Sequence, residues 1–155
     1  MTETLSHIAL RRLNGPDAST LYYPFPSVRL SLSPEHTLII DAPLVCDTIL
    51  VTNDVAEINS DGSFSILGRK DNTINTGGIK VQAEQVEDIL RPWIHVPFAI
   101  TSVSDAALGE AVVLLIENGG YTERLEEKMK ELLTKYQLPK MVFSVGTIPL
   151  TETGK

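Results

Sequence analysis

The stretch LGRKDNTINTGGIKVQAEQVE, Leu67 to Glu87, decides how the rest of the 155-residue chain is read. It places an arginine, a Lys-Asp pair and a Gly-Gly step ahead of an acidic helix start, with few apolar residues to build a core. A span this polar is either a solvated connector or part of a site, and the pattern changes across it. Upstream, VRLSLS, TLIID and ILVTNDVAEI cluster or alternate β-branched residues between Pro34, Pro43 and acidic turns, which predicts short strands. Asn59-Ser60-Asp61-Gly62 then reads as a hairpin turn, because Asp-Gly tolerates the positive φ such turns need, and SFSILGR returns as the second strand.

Downstream the periodicity becomes helical. Ala83, Val86, Ile89 and Leu90 share one face, acidic residues crowd the first turn where the helix dipole favours them, and Pro92 stops the helix. PFAITSV and AVVLLIE read as strands. From Thr122 to Tyr136 an apolar stripe of Leu125, Met129, Leu132, Leu133 and Tyr136 predicts a second helix, with Glu126–Lys130 and Glu131–Lys135 as i,i+4 pairs. MVFSV is a last strand. The second half is therefore expected as β, α, β, β, α, β, its opening strand lying near Thr73 to Val81. The whole is an α+β chain, mostly β over residues 1–69, with a connector at 70–72 and a compact α/β domain over 73–155.

Composition narrows the function. A net charge of -7 and the absence of a basic patch argue against a nonspecific nucleic-acid binder, which needs clustered Lys and Arg to displace counterions. Cys46 is the single cysteine, so neither a disulfide framework nor a Cys-rich zinc site is expected, and a reducing cytoplasmic setting fits. No apolar run approaches the roughly 18 residues that would span a membrane. MTETLSH begins without a lead-in, and Leu150 to Lys155 follows immediately on what reads as a loop, so a fragment of a longer protein is expected.

Four separated pieces carry a resemblance. MTET resembles the end of a Tyr-Gly-x-Thr-Glu motif, and VTND (Val51 to Asp54) a Thr-Gly-Asp motif. GRKDNTINTGG resembles a Gly-Arg-x-Asp hinge with its glycine loop, and IPLTETGK a Pro-x-Thr-x-x-Gly-Lys motif. In this order they are similar to the adenylate-forming superfamily of acyl-CoA synthetases, peptide-synthetase adenylation domains and luciferases. Asp105 with Gly109-Glu110-Ala111, and Leu138-Pro139, are supporting echoes.

The resemblance implies an ATP-dependent acid-CoA ligase. A carboxylate attacks the α-phosphate of ATP to give an acyl-adenylate and pyrophosphate, and CoA then displaces AMP. It implies Thr2, Asp54 and Arg69 as nucleotide ligands, Asp54 accepting from both ribose hydroxyls and Arg69 donating from the other side of the sugar. Glu3 would bind Mg²⁺, which takes one or two protein carboxylates and fills its other positions with phosphate and water. Asp71 would be the hinge, Gly77 and Gly78 would line the CoA path, and Lys155 would stabilise charge during adenylation. Residues 1–69 would end the large N-terminal domain as a small β-barrel-like subdomain, and 73–155 would be the mobile lid. Asn53 stands where the family usually has glycine, and asparagine is the non-glycine residue best able to take a left-handed backbone there. Within the superfamily the Asp71-Asn72 and Gly77-Gly78 pattern looks most similar to the o-succinylbenzoate-CoA ligases of menaquinone synthesis. Ligases for another aromatic or fatty acid, and a noncatalytic lid or interaction module, are the alternatives. The 155-residue chain alone is expected not to form acyl-adenylate.

Overall fold

The structure is a computed structural model that describes residues 7–148. The chain divides into two compact units, Met1–Asp71 and Asn72–Lys155, each with its own apolar core.

In the first unit two short strands, β1 (Ala9–Leu10) and β2 (Tyr23–Pro24), pair antiparallel. They precede an antiparallel meander of β3 (Arg29–Leu32), β4 (Thr37–Asp41), β5 (Leu50–Ile58) and β6 (Phe64–Arg69). β4 supplies the centre of the core: Leu38 and Ile40 are fully buried and pack with Ala42, Ala56 and Phe64. Tyr22 stacks on Phe64 at 5.4 Å between ring centroids and exchanges two backbone hydrogen bonds with it. The turn from β5 to β6 follows its sequence signal, with Gly62 at φ 83° and the Gly62 amide donating to Asn59 O at 3.0 Å.

The expected β-barrel-like subdomain is corrected here. A barrel requires its last strand to pair with its first. Among the described residues β3 pairs with β4 alone, and beyond β5 the β6 strand gains only the isolated Tyr22 bridge. The sheet is open, and the architecture is mixed α and β with sheet predominating.

The second unit runs β7 (Thr73–Thr76), β8 (Ile79–Gln82), α1 (Ala83–Leu90), β9 (Phe98–Asp105), β10 (Gly109–Glu117), α2 (Glu123–Leu132) and β11 (Met141–Val145). The opening strand expected near Thr73 to Val81 is thus a two-stranded hairpin. β10 lies inside the sheet, antiparallel to β9, parallel to β11, and joined to β7 through Gly109 opposite Thr76. Being covered on both faces, it reads as the unbroken apolar run AVVLLI. Val112, Leu114 and Ile116 pack against Val86 and Leu90 of α1 and Leu125 and Met129 of α2.

Helix α2 is shorter than its periodicity suggests. Thr122 caps its start, its hydroxyl accepting from the Leu125 amide at 3.2 Å. The far end stops at Leu132 because Leu133 is extended, φ -98° and ψ 142°, which keeps its side chain in the core. The Gln137 side chain then accepts from the Thr134 amide and hydroxyl and holds a turn. Lys135 is therefore beyond the helix, and Glu131 pairs with Lys128 instead, whereas Glu126–Lys130 forms as expected at 2.6 Å. Among the described residues no helix is long and apolar enough to cross a membrane.

Candidate functional site

Within the first unit the two proposed ribose ligands come together through strand register. Two irregularities bracket them. Between β4 and β5 the pairing passes from Ile39 opposite Val51 to Thr37 opposite Val55, so Thr52 to Asp54 bulge from the ladder. The Thr52 hydroxyl fills the gap, donating to Leu38 O at 2.9 Å and accepting from the Asp54 amide at 3.1 Å. Between β5 and β6 the register shifts again past Val55, and Asp54 falls directly opposite Arg69. Opposed residues on one face have Cβ atoms about 4.5–5.5 Å apart, so a carboxylate acceptor and a guanidinium donor present themselves side by side. That donor set suits a vicinal diol: the carboxylate accepts from two hydroxyls and the guanidinium donates to their oxygens.

Asn53 lies in the β5 bulge without the left-handed backbone considered for it; His36, at φ 63°, is the positive-φ non-glycine residue among those described. The Asn53 side chain has another role that its sequence did not signal. Its Nδ2 reaches Asp71 Oδ2 at 3.5 Å, and Arg69 NH2 donates to the same oxygen at 3.1 Å. Lys70 Nζ donates to Glu35 Oε2 at 2.6 Å. Glu35 is presented by a tight β3–β4 turn in which Ser33 Oγ accepts from the amides of Glu35 and Thr37.

In the second unit Gly77 and Gly78 form the β7–β8 turn, at φ 60° and 81°, the pair of left-handed positions a two-residue hairpin of this hand requires. Gly77 is closely approached: its amide donates to Leu108 O at 2.8 Å, and a Cβ on it would lie 3.2 Å from Leu108 Cδ2. Leu108 is itself held by Asp105, whose Oδ1 accepts from the amides of Ala107 and Leu108 at 2.9 Å each. Hydrogen bonds from the Lys140 ammonium and then from those two amides hold the Asp105 carboxyl down at about 2. Glu110 accepts from the Asn75 amide at 2.7 Å and the Ser102 hydroxyl at 2.8 Å, which lowers its pKa. The sequence echoes at Asp105 and Glu110 are thus the braces of the glycine turn.

Thr2, Glu3 and Lys155 lie outside the described residues. Among the described residues no group of three or more His, Cys, Asp or Glu side chains is arranged to hold a metal ion.

No protein-family model matches the chain. It is 34% identical, over 67% of its length, to a salicylyl-CoA synthase / salicylate adenylyltransferase of a Streptomyces species, of which it spans 20%. An acyl-CoA synthetase (AMP-forming)/AMP-acid ligase II-like protein of Dyadobacter fermentans matches it over 100% of its length at 34% identity and TM-score 0.51, the chain spanning 46% of that protein. The o-succinylbenzoate coenzyme A synthetase of Bacillus subtilis, solved with ATP and a magnesium ion, has the same fold over 85% of the chain at TM-score 0.73, with 18% identity and 33% of that protein spanned. The chain thus spans less than half the length of each of these proteins. By sequence and by fold, it belongs to the adenylate-forming superfamily of AMP-forming acid ligases and matches the C-terminal portion of its members.

Proposed function

We propose that this chain is the C-terminal part of an ATP-dependent acid-CoA ligase that converts a carboxylate and ATP to an acyl-adenylate and pyrophosphate, then to a CoA thioester and AMP. The observation that carries the reading is the cross-strand pair Asp54 and Arg69, one turn of chain ahead of the junction between the two units. Asp54 and Arg69 would hold the ribose, with Thr2 beside the nucleotide. Asp71 would be the hinge about which residues 73–155 swing as a lid. Glu3 would contribute the protein carboxylate to Mg²⁺, which supplies charge neutralisation at the phosphates when bound. Lys155 would add a cation to the pentavalent phosphorus centre in the first half-reaction, and the Gly77-Gly78 turn would border the pantetheine path in the second.

For the acid we propose o-succinylbenzoate, which carries with it menaquinone synthesis and a cytoplasmic location. The salicylate-directed Streptomyces relative, at 34% identity, favours a second reading in which the acid is another aromatic carboxylate. The full-length ligase, supplied with ATP and CoA, separates them. Pyrophosphate release and thioester formation are measured for o-succinylbenzoate, salicylate and benzoate in parallel. The first reading requires o-succinylbenzoate to give the highest kcat/KM. A preference for salicylate replaces it with the second, and no ATP consumption with any acid ends both.

A further inference from the structure

Within the second unit, helix α2 lies over the inner strand β10 and leaves the edge strand β11 only partly roofed. Leu125 and Met129 pack against Val112, Leu114 and Ile116, whereas Val142, opposite Leu114 on β11, sits at the margin of that core. Two residues on, the same face of β11 carries the small, exposed Ser144, whose hydroxyl donates to Asn118 Oδ1 at 2.8 Å. The space left between α2 and β11 is a cavity of about 390 Å³. That lies in the range of roughly 300–1,000 Å³ typical of small-molecule sites. Met129, Leu138 and Val142 make it apolar inside, and Tyr121, Glu126, Lys130 and Lys140 give it a polar rim.

The hydrogen bonds of the rim decide what chemistry is left over. Both oxygens of Glu126 are engaged, Oε1 accepting from Lys130 Nζ at 2.6 Å and Oε2 from the Tyr121 hydroxyl at 3.1 Å. Lys140 Nζ donates to Asp105 Oδ2 at 2.8 Å. An ammonium carries three donors, so Lys130 and Lys140 each retain two. The surplus of the rim is therefore cationic donors, set around an apolar interior. We propose that this cavity is a binding site for an amphipathic monocarboxylate, its charged end on Lys130 and Lys140 and its apolar body against Met129, Leu138 and Val142. A single negative charge suits the rim better than the double charge of a phosphate, because Glu126 and Asp105 already neutralise one ammonium each and would repel the second charge. No residue of the cavity has a part in the reaction proposed above. Occupancy nevertheless reaches the glycine turn through Lys140. A carboxylate on this ammonium competes with Asp105, whose Oδ1 holds the Ala107 and Leu108 amides, and Leu108 O in turn receives the Gly77 amide.

Titrating the 155-residue chain with octanoate, below its micelle concentration, tests the site by NMR without any enzymatic readout. Saturable shifts are expected at the Met129, Leu138 and Val142 methyl groups and, with the same Kd, at the Leu108 amide. Acetate has the charge without the body and 1-octanol the body without the charge, so each should bind at least tenfold more weakly. Losing a hydrogen bond to a charged group should weaken octanoate roughly tenfold or more in Lys130→Met and in Lys140→Met. Lys128→Met, on the same helix but outside the cavity, should bind as the parent does. The proposal is overturned if octanoate gives no saturable shift, if the Leu108 amide does not respond, or if 1-octanol binds as tightly as octanoate. Unchanged affinity in Lys130→Met overturns it too. Tighter binding of inorganic phosphate or CoA at the same residues replaces it with a phosphate site.

Discussion

Asp54 and Arg69 stand directly opposite each other on β5 and β6, fifteen residues apart along the chain, with a register irregularity on each side of the pair. The bulges aim both side chains to one face, and the Thr52 hydroxyl keeps the Asp54 backbone in place by replacing a ladder bond. The Asp54 backbone is thus fixed before any ligand arrives, while the Arg69 guanidinium across from it is held by Asp71 at 3.1 Å.

Removing that acceptor should weaken use of the nucleotide without unfolding the sheet. A hydrogen bond to a charged group contributes about 1.5–3 kcal/mol, so Asp54→Ala in the full-length ligase is expected to lower kcat/KM for ATP roughly 10- to 150-fold. The circular dichroism spectrum should be unaltered. Steady-state kinetics with ATP varied provides the check, and a kcat/KM within twofold of the parent, about 0.4 kcal/mol, removes Asp54 from the nucleotide site.

The proposed function gives Lys155 a part in the first half-reaction alone. Loss of one preorganised charge-stabilising group costs roughly 10²–10³ in rate, so Lys155→Ala should cripple adenylation from ATP. When preformed acyl-adenylate is supplied to the same variant, thioester formation should run near the parent rate. Equal loss in both steps contradicts a role restricted to adenylation.

Asp105 links acid stability to the brace beneath Gly77. Its folded-state pKa is depressed from 3.8 to about 2 by the Lys140 ammonium and the Leu108 and Ala107 amides. Its contribution is therefore present above the unfolded value and lost as pH falls through about 2. Asp105→Asn should be less stable than the parent at pH 5, and the gap should close progressively as denaturation midpoints are measured down toward pH 2. A gap that is constant over this range means the carboxylate charge contributes nothing there.

Glu87 behaves in the opposite sense. Burial raises its pKa above 4.5, outweighing the hydrogen bond it accepts from the Ile100 amide at 2.9 Å. The stabilising contribution of the protonated form is full below the unfolded value and is lost as pH rises through the raised folded one. Glu87→Gln retains an oxygen for the Ile100 amide and carries no charge, so its Tm should exceed that of the parent at pH 7 and match it below about pH 4.5. Thermal melts at both pH values decide the point; a lower Tm for the variant at pH 7 reverses the assignment.

What the sequence determined by itself was the elements marked by short-range periodicity and turn chemistry, though not all of their ends. Alternation in TLIID and SFSILGR marked β4 and β6, the Val86 and Leu90 spacing marked α1, and Asp61-Gly62 marked the turn that joins β5 to β6. Tertiary structure decided what depends on partners far along the chain. The first unit's sheet stays open because strand closure is a property of pairing, which no single strand encodes. Helix α2 ends at Leu132, four residues before its apolar pattern, because burying Leu133 in the core required an extended backbone there. Asp54 meets Arg69, Lys70 meets Glu35, and Gly77 meets Leu108 only after register has been set by bulges and by the two separate cores. Side-chain period tells which face a residue occupies; it carries no information on which residue stands across from it, and that is what assembles the candidate site.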